Sequence, residues 1–327
     1  MILSGDVGGT KTHVALYKNN QSQTLFREKT YASNDYSSFA KVLEDFLKDV
    51  KEPIVGACFG IAGPIKNQRC QATNLPWVID AKELSIQFSI PKVYLINDLE
   101  ANAYGLSCLS PKEFYVLNEG RQNLGNAALI SAGTGLGEAG LFWDGSKHIP
   151  FACEGGHSDF APQDDLQIDL FEFLQKKYGH VSYERVVSGM GIQNIYEFLA
   201  ATKRIELNES LENEMKKSDP ARIITEKAMK KEIEGCEKTL DIFMSIYGAE
   251  AGNAALKYLA VSGIYLGGGI APKILSLLKE GIFMRSFIKK GRFASLMKDI
   301  PVKIVLNDKA ALLGARRYVL EKIKKPE

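Results

Sequence analysis

The sequence predicts a two-domain protein of the α/β class, and three observations carry that prediction. Strand-like and helix-like segments alternate along the chain. A strand–glycine turn–strand unit occurs twice, near residue 5 and near residue 132. The chain has 327 residues, which at about 150 residues per domain gives two domains with room for sizeable cores. No Pro- or Ser-rich linker separates the halves, so they are expected to pack across a cleft.

Taken in order, ILSGDV is a strand, GGTKT a turn, and THVALYK a second strand. Further extended pieces are expected around Leu25 to Tyr31 and Ile54 to Ile61. Between them, Phe39, Val42, Leu43, Phe46 and Leu47 recur at helical spacing, which predicts an amphipathic helix within Ser37 to Val50. Val93 to Ile96 is a buried strand that ends in Asn97-Asp98 and runs into a helix carrying Ala101, Tyr104 and Leu106. The pattern then restarts: a strand over Ala127 to Ser131, a glycine-rich turn, and an extended piece at Leu141 to Trp143. From Leu166 onward the chain is mainly helical, with a long apolar periodicity from Ile223 to Leu259 that is relieved near Gly235 and Gly248. Short strands are expected at Gly263 to Leu266 and Ile304 to Leu306. Asn307 or Asp308 is placed to cap a last helix.

Composition narrows the class of partner. Hydrophobic residues make up 45% and charged residues 24%, with a formal net charge of +2. These values are ordinary for a globular protein. Basic residues are spread along the chain, so neither nucleic acid nor a membrane surface is an expected partner. Lys322, Lys324 and Lys325 read as a solvated tail. The five cysteines show no Cys-x-x-Cys pair, which argues against a zinc knuckle and against a disulfide framework. The chain opens on a strand-like segment with no basic leader, and no stretch nears the roughly 18 apolar residues of a membrane span. A cytoplasmic protein is expected. Glycosylation-type triplets at Asn20 and Asn208 are then chance matches.

Three glycine turns could hold phosphates. Asp6-Val7-Gly8-Gly9-Thr10-Lys11 follows a strand, where glycines bring backbone N–H groups close to an anion. Thr10 adds a hydroxyl, Lys11 a cation, and Asp6 could orient water on a Mg²⁺ ion. A plain hairpin turn is the other reading, and Walker A spacing is absent. Thr134 and Gly135 lie in a second such turn, which is a phosphate loop or a simple turn. Gly267, Gly268 and Gly269 lie between a strand and a helix. They either admit a base or ribose, with a helix N-terminus facing anions, or allow close packing.

Acidic residues complete the candidates. Asp98, at a strand end, could accept a proton from a substrate hydroxyl, while Asn97 or Asp98 could equally be a helix cap. Glu154 and His157 flank two glycines on a tight loop and suit a polyhydroxyl ligand; a surface turn is the alternative. Glu184, on a short helical segment, reads by itself as solvated.

Together these segments resemble the bacterial glucokinase family, within the hexokinase branch of the actin-like ATPases. The resemblance is carried by GDVGGTK at the start, GIAGPI at 60 to 65, ATN at 72 to 74, LIND at 95 to 98, AGTGLG at 132 to 137, EGGHSDFAP at 154 to 162, GHVSYERVVSG at 179 to 189 and GGGIAP at 267 to 272. The resemblance implies an actin-like, ribonuclease H-like ATPase fold with an interdomain cleft. It implies a small domain over 1–108 plus 305–327, a large one over 109–304, and a homodimer. It implies a glucokinase reaction: transfer from MgATP to the 6-hydroxyl of glucose. Asp98 would be the base, and Asn97, Glu154, His157 and Glu184 would bind the sugar. The turns at Asp6–Thr10 and Thr134–Gly135 would hold phosphates, and Gly267–Gly269 the adenosine. Leu75-Pro76-Trp77 stands where the family pattern is more polar, near the sugar, so it is expected to bear on hexose choice. No cysteine cluster follows the acid–histidine site and no helix-turn-helix precedes it, which points to the zinc-free group rather than to repressors. A kinase for mannose or fructose, or a sugar-binding regulator, are the alternatives.

Overall fold

The structure, a computed structural model, describes residues 1–18 and 24–324. Asn20 and Lys325 lie outside the described residues. The chain divides into two compact units: Met1–Glu113 with Ile149–Ala152 and Asn307–Glu327, and Phe114–His148 with Cys153–Leu306.

The first unit is built on strands β1 (Ile2–Val7), β2 (Lys11–Tyr17), β3 (Leu25–Ala32), β4 (Gly56–Ile61), β5 (Arg69–Gln71), β6 (Val78–Asp80) and β7 (Val93–Asn97). Five form one sheet in the order β3-β2-β1-β4-β7. β1, β4 and β7 run parallel, and β2 folds back on β1. Because β1 and β4 are buried between neighbouring strands, they read as nearly continuous apolar runs. Helix Phe39–Leu47 lays Phe39, Val42, Leu43 and Phe46 into one core, and Ser38 caps its first turn. The other sheet face is covered by helices Asp98–Leu106 and Ala310–Lys324. These two helices meet at small residues. A side chain on Gly105 would collide with the Ala310 carbonyl, and one on Gly314 with the Ala101 carbonyl.

The second unit carries β8 (Phe114–Asn118), β9 (Ala127–Ala132), β10 (Leu136–Trp143), β12 (Gly263–Gly267) and β13 (Val302–Val305); β11 (His148–Cys153) has its inner four residues grouped with the first unit. The order β10-β9-β12-β13-β8 repeats the earlier logic. β9 and β10 form a hairpin, as β1 and β2 do, and β9 pairs in parallel with β12, as β1 does with β4. The repeat seen in sequence is therefore a repeat of sheet topology. A single large core gathers these strands and the helices from Asp165 onward.

Two local expectations are corrected. The long periodicity from Ile223 splits into helices Pro220–Met229 and Glu234–Lys257, with Lys231 between them at φ +54°. Gly248 does not break the second helix. A side chain there would meet the Phe283 carbonyl, so the glycine permits close helix contact. Glu184 sits on a single 3₁₀ turn, Tyr183–Arg185, rather than on a helix.

Candidate functional site

In the first unit the parallel strands β1, β4 and β7 end side by side, with Asp6 paired in register to Gly60 and Ile61 to Asn97. Ligands of α/β sheets bind at such carboxyl ends. Asn97 is the cap of helix Asp98–Leu106. Its side-chain oxygen accepts from the amides of Leu99 at 2.9 Å and Glu100 at 3.3 Å, and its amide donates to the Gly63 carbonyl at 3.5 Å. Asp98, the next residue, accepts from the Leu99 amide at 3.0 Å. Gly60 lets helix Asp98–Leu106 pack closely on β4, since a Cβ there would lie 2.7 Å from the Ala101 Cβ and 3.6 Å from the Asp98 Cα. Burial and the Asp98 charge push Asp6 up to about 7. The two carboxylates therefore feel each other.

The Asp6–Lys11 turn is held by residues that sequence reasoning did not single out. Gly8 N–H donates to the Lys11 carbonyl at 3.0 Å, and the Ser33 hydroxyl donates to the Gly8 carbonyl at 2.8 Å. Asn74 lies against Gly9, where a Cβ would come within 2.6 Å of its own Cβ. Thr10 and Lys11 are exposed at the tip. The Ala72–Asn74 segment is anchored by the Thr73 amide on the Ala62 carbonyl at 3.1 Å. Leu75 and Trp77 are buried in the core, and the Trp77 indole donates to the Tyr36 carbonyl at 3.1 Å. The Leu75 and Trp77 side chains are packing residues, and Pro76 between them is exposed.

In the second unit the remaining candidates come together. The turn between β9 and β10 closes with Gly133 N–H donating to the Gly135 carbonyl at 2.9 Å. Gly189, at the start of helix Gly189–Ala201, donates to the Gly133 carbonyl at 2.8 Å. Glu184 reaches the same turn and accepts from the Leu136 amide at 3.0 Å. A side chain on Gly135 would collide with the Glu184 carboxylate. Glu184 is thus half-buried and bound, not solvated. Gly268, at φ +78°, abuts the Ala132 carbonyl at the end of β9, where only glycine fits. Helix Ile270–Lys273 after it has one turn, too short for the dipole expected from sequence.

Glu154 and His157 are exposed on a loop whose 3₁₀ turn is closed by His157 N–H on the Glu154 carbonyl at 3.0 Å. The following residues pair with the segment that carries Glu184. Tyr183 N–H donates to the Ser158 carbonyl at 3.0 Å, and Phe160 N–H to the Val181 carbonyl at 2.9 Å. This pairing ties EGGHSDF to HVSYERV, so Glu154, His157 and Glu184 share one neighbourhood. Among the described residues there is no His/Cys/Asp/Glu group that could hold a metal ion by itself. No helix of the described residues is long and apolar enough to cross a membrane.

Comparison with known proteins shows the family and the fold. The family profile described as Glucokinase matches residues 3–322. A glucokinase of Nostoc punctiforme is 40% identical over 333 residues, covering 96% of this chain and 97% of its own. The crystal structure of a glucokinase from an Antarctic psychrotroph superposes with a TM-score of 0.84 at 32% identity, covering 98% of both chains. A glucokinase from Balamuthia mandrillaris, solved in complex with glucose, has the same fold with a TM-score of 0.83 at 21% identity, covering 98% of this chain and 93% of its own. These similarities define a sugar kinase of the actin-like ATPase fold. Within that class, the chain belongs to the glucokinase family.

Proposed function

We propose that the chain transfers the γ-phosphoryl group of ATP to the 6-hydroxyl of glucose, giving glucose 6-phosphate and ADP. The observation that carries the reading is Asp98 at the end of β7, coupled electrostatically to Asp6 at the end of β1. Asp98 takes the hydroxyl proton as the new oxygen–phosphorus bond forms and the bond to the ADP oxygen breaks. Asn97, Glu154, His157 and Glu184 hydrogen-bond the other hydroxyls and fix the attacking oxygen. Backbone N–H groups of Gly8, Gly9, Thr10 and Lys11, with Thr134 and Gly135, receive phosphates, and Gly267–Gly269 the adenosine. Asp6 fits a magnesium ion, because a carboxylate raised by burial and a neighbouring negative charge is one short of a cation. Asp6 would hold the ion through water, and the ion would neutralise phosphate charge. The proposal takes the small domain as 1–108 plus 305–327 and the large one as 109–304. It also takes a cytoplasmic homodimer, which sedimentation of the purified chain tests.

A coupled ADP-release assay over glucose, mannose and fructose tests the substrate. The expected result is sugar-dependent ADP release with glucose kcat/KM at least about tenfold above the others. ADP release that ignores sugar would refute a kinase, and equal rates on all three would refute glucose as the substrate.

A further inference from the structure

Beneath the Glu154–His157 loop lies a second carboxyl pair. Glu138, on β10, is 1% exposed, and Glu250, on helix Glu234–Lys257, is 0% exposed. Neither carboxyl oxygen of Glu138 receives an N–H or O–H bond from the described residues. Its side chain instead meets the Glu250 carboxyl. Two carboxyl groups can hydrogen-bond only if one carries a proton. Glu250 has donors of its own: Lys257 Nζ at 3.3 Å and the Asn253 amide at 2.8 Å. The proton therefore belongs on Glu138. The other titratable groups around the pair support one negative charge rather than two. Lys290 donates to the Ala249 carbonyl at 2.9 Å and to Asn253 at 2.5 Å, and burial lowers its own affinity for a proton. Tyr183, Tyr247 and Tyr258 are pushed up by burial and stay neutral; Tyr183 takes a bond from Asn253 at 2.8 Å, and Tyr258 meets the Cys153 thiol at 2.9 Å.

The Glu138 carboxyl is also the floor of the loop. A side chain on Gly155 would collide with Glu138 Oε2 and lie 2.7 Å from its Cδ, while one on Gly156 would collide with the Leu136 carbonyl. The backbone between Glu154 and His157 therefore rests directly on Leu136–Glu138 of β10.

We propose that Glu138 keeps its proton against the Glu250 carboxyl, and that neutral Glu138 holds the Glu154–His157 loop in its sugar-binding position. This rests on the hexose reading given above. Glu138 is then a positioning residue: it touches no substrate and acts through the loop. Burial, and after it the Glu250 charge, push Glu138 up to about 8. Above that pH a second buried negative charge forms under Gly155. Two carboxylates cannot stay packed there, so the loop lifts and water enters.

The test compares wild type with Glu138→Gln, whose amide keeps the shape and a donor but never ionises. Two quantities are read from about pH 7 to about pH 9.5, a span that takes Glu138 across its midpoint. One is the glucose KM against kcat. The other is amide hydrogen-exchange protection at Gly155–Ser158, which needs no sugar. In wild type, loop protection should fall and glucose KM rise, each by about tenfold, with a smaller change in kcat. In Glu138→Gln both should stay flat. Glu250→Gln should move the wild-type midpoint to lower pH, because it removes the charge that disfavours ionised Glu138. Loop protection that is identical in wild type and Glu138→Gln across the range would overturn the inference, whatever the kinetics. Loop protection that behaves as expected while no sugar drives ADP release at any pH would support the pair and sink the hexose reading instead.

Discussion

Replacing Asp98 by Asn should cripple turnover and, above neutral pH, stabilise the fold. Asp6 is raised from an ordinary 3.8 to about 7, by burial first and by the Asp98 charge second. That displacement corresponds to about 4 kcal/mol at neutral pH, and Asp98, as the smaller cause, accounts for under about 2 kcal/mol. A folded-state pKa above the unfolded one adds stability that is complete below the unfolded value and is lost as pH rises through about 7. The Asp98→Asn change removes the repulsion only where Asp6 is ionised. It also removes a negative charge from the first turn of helix Asp98–Leu106, a loss of about 0.3–1 kcal/mol at every pH. The sign of the stability change should therefore invert: the variant is slightly less stable than wild type at about pH 5 and about 1 kcal/mol more stable at about pH 8. The backbone bond from Leu99 survives, since an Asn oxygen accepts it as well. Urea unfolding at several pH values reads the stability. Coupled ADP release reads turnover, which should fall by about 10²–10⁴-fold. Turnover within tenfold of wild type would refute Asp98 as the base. A variant less stable than wild type at both pH values would refute the electrostatic argument.

Three further variants test other parts of the site. Glu184→Ala leaves the Leu136 amide without its acceptor, and a loss of about 1–3 kcal/mol should appear mainly as a raised glucose KM, with ATP KM nearly unchanged. Gly268→Ala must adopt φ +78° and displace the Ala132 carbonyl, so ATP KM should rise while isothermal titration shows glucose binding preserved. Trp77→Ala empties a core site that is 1% exposed, and thermal or urea unfolding should show about 3–5 kcal/mol of destabilisation. The ranking of hexoses by kcat/KM should not change, since the side chain packs inward.

Much of the fold was legible because the chain punctuates its strands with turn residues whose type has a local cause. The β1–β2 and β9–β10 hairpins announced themselves through GGTK and GTGLG, and the apolar spacing from Phe39 to Leu47 marked the first helix. Asp98 was visible as a carboxylate at a strand end. Capping and base chemistry looked like rivals in sequence, but Asn97 takes the cap and Asp98 is simply the next residue. The apolar character of Leu75-Pro76-Trp77, where the family pattern is more polar, has a packing cause at two of its three residues, since Leu75 and Trp77 turn inward. Ser33 and Glu250 carried no signal. Their partners Gly8 and Glu138 lie 25 and 112 residues away, and only tertiary pairing reveals them.

The two acid pairs follow the same electrostatics with different outcomes. Asp6 and Asp98 sit at the open ends of parallel strands, so their mutual repulsion is available to be relieved by a cation and an incoming hydroxyl. Glu138 and Glu250 are sealed between β10 and a long helix, where relief must come from a retained proton. Glu138 is held up to about 8 and Asp6 to about 7. Activity should then show an acid limit set by Asp6 and an alkaline limit set by Glu138. Asp6 ionises below Glu138, so raising pH through about 7 should first favour metal-nucleotide binding and lower the ATP KM. Raising it further through about 8 should loosen the Glu154–His157 loop and raise the glucose KM. The two constants should respond to pH in opposite directions and at separate midpoints. Parallel movement of both KM values, with one shared midpoint, would show that a single group governs both and would refute this division of labour.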